Sequence, residues 1–375
     1  MKIAIISQTS PTGSAIYSSK LCSELGKRCN TLLLGDTSFD LMKQNRVLEV
    51  WHRHSGVPYG LAKFTNDTEA DIVSIQYEYS MFGDYYRTHV YLPVLISLLR
   101  RKKTKIIVTL HGVLQKQDLP TQMSWLSSSL RPYYRFVARN TAKIILLNTM
   151  QREALRGYGI NDENMVVIPH GADDCSLGVS VKRDSNSILF QGFIRPSKGL
   201  DIILKAVKKI NTEGSDVRLT VLGSRPLQWL KNRNELQYFE YVKNYANKMQ
   251  DTVELRTGFF DVDLIRRYAS QSYIIALPYT DSHLESSGVL HALMGCGTPV
   301  IASRTPRFLG DLHNMEDAVL IEPNETELAE AILLLRRDRN IWEHISENLK
   351  RKSLQRTWSA VAARHLEVFA ETMRR

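Results

Sequence analysis

Short runs of β-branched and other apolar residues alternate with amphipathic segments along most of the chain, and this rhythm narrows the fold more than any single motif. In the first half the runs are Lys2 to Ser7, Thr31 to Gly35, Asp71 to Tyr77, Lys105 to His111, Lys143 to Asn148 and Met165 to Pro169. Helical patterns lie between them, as at Ser14 to Lys27 and Ser124 to Asn140. The second half restarts with Ser187 to Gly192, Val217 to Gly223, Val253 to Gly258, Tyr273 to Leu277, Pro299 to Ser303 and Ala318 to Glu322. Strands that are apolar almost throughout have both faces buried, as in parallel sheets covered by helices. Two such series imply two doubly wound α/β domains. Residues 1–170 form the first and 187–355 the second, joined by the aperiodic polar linker 171–186 (GADDCSLGVSVKRDSN). A closing helix at 356–375 either stays with the second domain or crosses back to the first.

A chain of 375 residues has room for both domains. No apolar run approaches the ~20 residues of a membrane span, and the opening MKIAIISQ reads as a strand rather than a signal peptide. The four cysteines, Cys22, Cys29, Cys175 and Cys296, lack metal-site spacing and read as reduced thiols of a cytoplasmic protein. A net charge of +10 fits a plain basic protein, an anionic substrate or an anionic membrane surface. Nucleic acid is disfavoured, because no nucleic-acid-binding signature is present. The stretch His89 to Lys105 reads as an apolar helix with a basic end at Arg100, Arg101, Lys102, Lys103 and Lys105. That end is either helix-dipole chemistry or a patch for an acidic acceptor or membrane.

In doubly wound sheets, ligands meet the loops beyond the C-terminal ends of the strands. The first such loop, Thr9 to Ser14, holds Gly13 before a helix. With one glycine it is neither GxGxxG nor a Walker A loop. The strand ending TLHG places His111 at the sheet edge, and DIVSIQYEY places Gln76 and Glu78 beside it. His170 in IPHG either faces a crevice or is a hydrogen-bonded hinge residue. The second domain opens LFQGFIRPSKGLD: Gly192 ends the strand, and Arg195 and Lys198 follow on a loop suited to a diphosphate. Gly223 ends the next strand. The stretch Tyr279 to Thr305 runs from a buried strand through Asp281, His283 and Glu285 to the turn Ser286-Ser287-Gly288, which opens a short helix. Such a helix start suits an anion, and equally serves as an ordinary strand–helix loop.

Taken together, the Gly13 loop, DIVSIQYEY, IIVTLHG, VVIPHG, GFIRPSKGLD, LTVLGS, IALPYTD, SSGVLHALMGCGTPVIAS and TWSAVAARHLEVF resemble retaining glycosyltransferases of the GT-B fold, specifically glycosyltransferase family 4. The resemblance implies two Rossmann-like domains with a cleft between them. It also implies a hexosyl transfer from a UDP-sugar or GDP-sugar to a glycan or lipid-linked acceptor, without a resident cofactor or metal. On this reading Gly13 and Ser14 meet the diphosphate, with Arg195 and Lys198 as its charge clamp. His111 contacts the transferred sugar and Glu285 holds its hydroxyls. Ser287, Gly288, Val289 and Leu290 lie over the phosphates and ribose, with His170, Gly192 and Gly223 lining the donor.

The pattern departs from the family in three places. The family's second glutamate falls at Leu293 counted forward from Glu285, or at Ala292 counted back from Gly297-Thr298-Pro299, and neither is acidic. One glycine stands in the first loop where many members have two. Phe193 follows Gly192 where arginine is usual, which leaves Arg195 to supply the cation. Two other readings share these residues: a nucleotide-sugar epimerase of the same fold, and a non-catalytic sugar- or partner-binding paralogue.

Overall fold

The computed structural model describes residues 1–9, 12–36, 47–51, 58–79, 81–83, 85–100, 104–119, 121–175, 182–225 and 232–374. Part of the first loop (Ser10, Pro11), of the basic stretch (Arg101, Lys102, Lys103) and of the expected linker (176–181) lies outside these residues. The chain divides into two compact units. Unit 1 contains Met1–Gly171, His283–Ser286 and Arg356–Arg375; unit 2 contains Ala172–Ser282 and Ser287–Gln355.

In chain order the first elements are β1 (Lys2–Ile6), α1 (Gly13–Gly26), β2 (Asn30–Asp36), β3 (Val47–Trp51), α2 (Pro58–Asp67), β4 (Ile72–Tyr77) and α3 (Tyr85–Leu99). They continue with β5 (Lys105–Leu110), β6 (Gly112–Val113), α4 (Leu130–Asn140), β7 (Lys143–Leu146), α5 (Thr149–Gly157) and β8 (Met165–Val167). Next come β9 (Asp184–Phe193), α6 (Leu200–Thr212), β10 (Arg218–Ser224), α7 (Arg233–Asn247), β11 (Val253–Thr257), α8 (Val262–Gln271) and β12 (Ser272–Leu277). The chain closes with β13 (Leu284–Glu285), α9 (Gly288–Leu293), β14 (Val300–Ser303), α10 (Pro306–Leu309), β15 (Val319–Ile321), α11 (Glu325–Arg337), α12 (Arg339–Gln355) and α13 (Trp358–Arg374).

Unit 1 holds a parallel seven-stranded sheet in the order β3-β2-β1-β4-β5-β7-β8. Unit 2 holds a parallel six-stranded sheet in the order β11-β10-β9-β12-β14-β15. Both orders reverse direction next to the unit's first strand, which is the doubly wound pattern. β4 and β12 are buried at every position, as in a parallel sheet covered on both faces. Successive residues of β1 and β4 serve opposite faces. Ala4, Ile6, Val73 and Ile75 pack toward α3 and α4, whereas Ile3, Ile5 and Ile72 pack with Tyr17, Leu21 and Leu25 of α1. α13 completes this second face with Val361, Ala362, Val368 and Phe369. In unit 2 the corresponding faces hold Phe190, Val221 and Ile274 against α6, and Leu189, Leu222 and Ile275 against α9.

The structure departs from the sequence expectations in four local respects. β3 was not expected. The segment anticipated as one helix over Ser124 to Asn140 is a 3-10 stretch (Thr121–Ser129) followed by α4, because Ser127, Ser128 and Ser129 compete for backbone hydrogen bonds in turns. The helix expected to reach Lys105 stops at Leu99, and Lys105 starts β5, in line with the strand expected over Lys105 to His111. The fourth concerns Cys175 and Cys296, which are disulfide-bonded rather than reduced. Their approach follows from Gly295, where a Cβ would stand 2.4 Å from the Asp173 carbonyl oxygen. This close backbone passage brings the two cysteine Cα atoms to 4.8 Å, within disulfide range. Cys22 and Cys29 are free.

Peptide mapping without reductant should recover one linked peptide pair carrying Cys175 and Cys296, with Cys22 and Cys29 open to alkylation. Cys175→Ser should lower the stability of unit 2 by roughly 2 to 5 kcal/mol in denaturant titration; an unlinked map or an unmoved midpoint would contradict the bond.

Candidate active site

In unit 1 the end of β5 carries His111, whose amide donates to the Tyr77 carbonyl at 2.9 Å. The imidazole is buried. Gln76 fixes its tautomer. The Gln76 amide nitrogen donates to Ser74 Oγ at 3.1 Å and Thr109 Oγ1 at 3.2 Å. Its oxygen is therefore left to accept from His111 Nε2–H at 3.1 Å, and Nδ1 keeps its lone pair. Burial pushes the imidazole down to about 3; Glu285 opposes this, and His365 adds to it. His111 is thus neutral at ordinary pH.

Glu285 reaches His111 through β13, which pairs antiparallel with β6: Leu284 lies opposite Val113 and Glu285 opposite Gly112. At Gly112 a Cβ would stand 3.0 Å from Glu285 Cγ, so the missing side chain makes room for the carboxylate arm. α5 locks the strand in place. Gln151 donates to the carbonyls of His111 at 3.3 Å and Leu284 at 3.1 Å, and Asn148 donates to Ser286 Oγ at 3.2 Å. The sequence reading placed Glu285 with the second domain; the pairing with β6 puts His283–Ser286 in unit 1. His283 stands 3.8 Å from Asp118.

Gly13 and Ser14 open α1, whose cap is Thr12, its hydroxyl accepting from the Ala15 amide at 3.3 Å. Ser14 is buried and bonded to Gln8 at 2.7 Å and to Glu78. Glu78 therefore has a structural partner in α1. Gly13 differs: a Cβ there would meet nothing within 4 Å among the described residues, and its φ is not positive. His170 is a buried, hydrogen-bonded residue, its Nδ1–H donating to the Gly171 carbonyl at 2.8 Å. It joins a cluster of rings around Tyr17. The Tyr17 ring centroid lies 4.8 Å from His111, 5.1 Å from His170, 5.1 Å from Trp358 and 6.5 Å from His365. The last two residues come from α13, and the sequence reading missed all three of Tyr17, Trp358 and His365. A tyrosine at the buried i+4 position behind a loop glycine was the available signal. Burial also pushes His365 down to about 4.

In unit 2 the loop after β9 turns through Pro196–Lys198 to Gly199, which caps α6 in the left-handed region at φ 65°. Glycine is required at that position: a Cβ would stand 2.1 Å from the Pro278 carbonyl oxygen. The two loop cations are each held. Arg195 pairs with Glu235 of α7 at 3.2 Å, and Lys198 Nζ lies 3.7 Å from the centroid of the Tyr279 ring. Neither partner was anticipated from sequence. Tyr279 is hydrogen-bonded to Ser287, and burial pushes its phenol up to about 12, with Arg307 opposing. Arg307 is itself fixed by Asp281 at 2.7 Å.

Ser287 caps α9, accepting from the Leu290 amide at 3.3 Å. His291 Nδ1–H donates to the Ser287 carbonyl at 2.9 Å. Gly192, at φ 143°, lies beside this start: a Cβ on it would be 3.7 Å from Val289 and 3.9 Å from the Tyr279 hydroxyl. Unit 2 thus brings together Gly192, Lys198, Tyr279, Ser287 and Val289. Gly288, like Gly13, has a non-positive φ and open space where a Cβ would stand. Gly223 is required by packing, since a Cβ would collide with Ile194 at 2.5 Å. Leu290 and Leu293 point into the core, so an acid at Leu293 would be buried there.

Two family models match the chain. Glycosyl transferases group 1 covers residues 185–338, and Glycosyltransferase Family 4 covers residues 46–174. With the two Rossmann-like units, these matches support a GT-B glycosyltransferase. A phosphatidyl-myo-inositol mannosyltransferase of Mycolicibacterium smegmatis is 25% identical over 301 residues, spanning 76% of this chain and 71% of that protein. Among solved structures, HepE of Anabaena in complex with UDP aligns with a TM-score of 0.78 at 18% identity, over 99% of this chain and 100% of that one. The same protein in complex with UDP-glucose gives a TM-score of 0.76 at 18% identity, over the same shares. These likenesses establish the GT-B fold.

His111 and His365 make unit 1 sensitive to acid. Below the ordinary histidine value of 6.5 the unfolded chain takes up protons at both positions, which the folded chain refuses until about 3 and about 4. Their contribution is complete above about pH 7 and is lost as pH falls through that window, by roughly 1.4 kcal/mol per pH unit for each imidazole. Urea unfolding at about pH 7 and about pH 5 should show a shallower pH dependence in His365→Phe than in the parent. Equal slopes would contradict these imidazole environments.

Proposed function

We propose that the protein is a retaining glycosyltransferase that moves a hexosyl group from a nucleotide-diphosphate donor to an acceptor hydroxyl. The observation that carries this reading is the grouping of Lys198, Tyr279, Gly192 and the capped start of α9 in unit 2. A cation, backbone amides and a glycine-lined approach together suit a diphosphate. The UDP and UDP-glucose complexes of HepE favour UDP over GDP as the nucleotide. In the proposed reaction the bond between the anomeric carbon and the diphosphate oxygen breaks as negative charge builds on that oxygen. Arg195 and Lys198 stabilise the charge, and the acceptor hydroxyl attacks on the same face, passing its proton to the departing diphosphate oxygen. Neutral His111 offers a hydrogen-bonding nitrogen to the transferred sugar, and Glu285 holds its hydroxyls. Gly13 and Gly288 offer backbone N–H groups where a side chain would intrude.

The acceptor in this proposal is a glycan or lipid-linked hydroxyl, consistent with the name of the mycobacterial relative. Contact with a lipid acceptor is proposed as peripheral, from a cytoplasmic enzyme; among the described residues no helix is long and apolar enough to cross a membrane. One observation favours a second reading, a non-catalytic sugar-binding protein: neither Ala292 nor Leu293 supplies a second acid. Donor binding without transfer or hydrolysis would favour that reading, and product analysis without acceptor separates an epimerase from both.

A screen of nucleotide sugars by thermal shift, followed by mass spectrometry of products, should identify a UDP-sugar donor and a transferred hexose with retained configuration. Arg195→Ala and Lys198→Ala should each weaken transfer by roughly 2 to 4 kcal/mol of barrier, and wild-type turnover in the double variant would remove them from the reaction. Gly13→Ala and Gly288→Ala should leave the unfolding midpoint unchanged while weakening UDP binding by about tenfold or more in calorimetry. Unchanged affinity in both would mean that these glycines do not meet the diphosphate.

A further inference from the structure

We propose that Tyr17 is a positioning residue, whose buried ring, held by α13, sets the plane of the His111 imidazole. The Gln76 hydrogen bond selects the His111 tautomer, but one hydrogen bond leaves the ring free to swing about its axis. Tyr17 removes that freedom. Its ring meets the imidazole edge to face, at 4.8 Å and an interplanar angle of 86°, an arrangement that aromatic quadrupoles favour. On its other sides the same ring meets Trp358 at 5.1 Å and 74°, and His170 at 5.1 Å and 70°. Trp358 is itself seated on Gly171, where a Cβ would stand 2.5 Å from the indole. His170 also contacts Trp358, at 5.5 Å. Four rings from β5, the 168–171 segment and α13 therefore converge on one side chain.

Packing alone does not call for a tyrosine here. The Tyr17 hydroxyl is buried, and it has no hydrogen-bond partner among the described residues. A buried, unpartnered hydroxyl is unfavourable, so the useful part of the side chain is its ring. The consequence is directional: α13, remote in sequence, packs against the end of β5 through the Tyr17 ring. The catalytic half of this inference rests on the proposal that His111 meets the transferred sugar. Its structural half does not.

The test uses the full chain with two substitutions. Tyr17→Leu keeps an apolar filler but removes the ring, and Tyr17→Phe keeps the ring. Long-range proton–nitrogen NMR of the histidine rings, with His111 assigned from a His111→Asn spectrum, reads the imidazole directly. Tyr17→Leu should shift the His111 ring resonances and lower kcat on the order of tenfold to a hundredfold, with the donor KM within about twofold of the parent's. Tyr17→Phe should restore both. Unmoved His111 resonances in folded Tyr17→Leu overturn the proposal, as does a Tyr17→Phe variant impaired to the same degree. Where Tyr17→Leu does not fold, Trp358→Leu removes the ring behind Tyr17; it should move the same resonances, and an unmoved spectrum counts against the proposal. If the parent shows no transfer with any donor, the functional reading fails, while the NMR shifts still decide the role of Tyr17.

Discussion

Burial of both faces of each parallel sheet is the constraint from which the other features follow. Strands such as β4 and β12 are buried at every position, so helices must cover them on either side. Polar chemistry is then pushed to the strand ends, where loops meet solvent. His111, Glu78 and Gly13 in unit 1 stand at such ends, as do Gly192, Lys198 and Ser287 in unit 2. Where polar residues do lie inside, they are tied into networks. Gln76 with Ser74 and Thr109, and Ser14 with Gln8 and Glu78, keep the strand ends rigid.

The two units treat charge differently. Unit 1 suppresses it: desolvation keeps His111 and His365 neutral, even though Glu285 favours the protonated form of His111. Unit 2 concentrates it and holds it in place. Arg195 lies against Glu235, Lys198 over the Tyr279 ring, and Arg307 against Asp281. A cation resting on an aromatic face keeps its charge while giving up little of its reach.

Most of the architecture was legible in the chain because apolar runs such as Tyr273 to Leu277 admit few alternatives. The strand-end positions of His111 and Gly192 were legible for the same reason. Glu285 was harder. Its two-residue strand carries no periodicity, and its place depends on pairing with Gly112, far away in sequence. The partners of Arg195 and Lys198 were hidden for a similar reason, since Glu235 and Tyr279 lie on other elements and nothing local marks them. Tyr17 looked like an ordinary core residue, because only three-dimensional placement shows that three histidines and a tryptophan surround it. The Cys175–Cys296 bond depends on the bare backbone at Gly295, which spacing rules do not capture.

The division of the chain also has a consequence for how it is made. Unit 1 begins with the first residues, yet its α1 face is covered by Val361, Ala362, Val368 and Phe369, and its β6 waits for Leu284 and Glu285. On a ribosome, therefore, the unit that starts first is finished last, after all of unit 2 has emerged. Until then the part of this face that Val361, Ala362, Val368 and Phe369 cover stays open. The last helix is in this sense a closing piece for the first-made half, and a chain arrested before Trp358 would carry a complete second unit beside an unfinished first one.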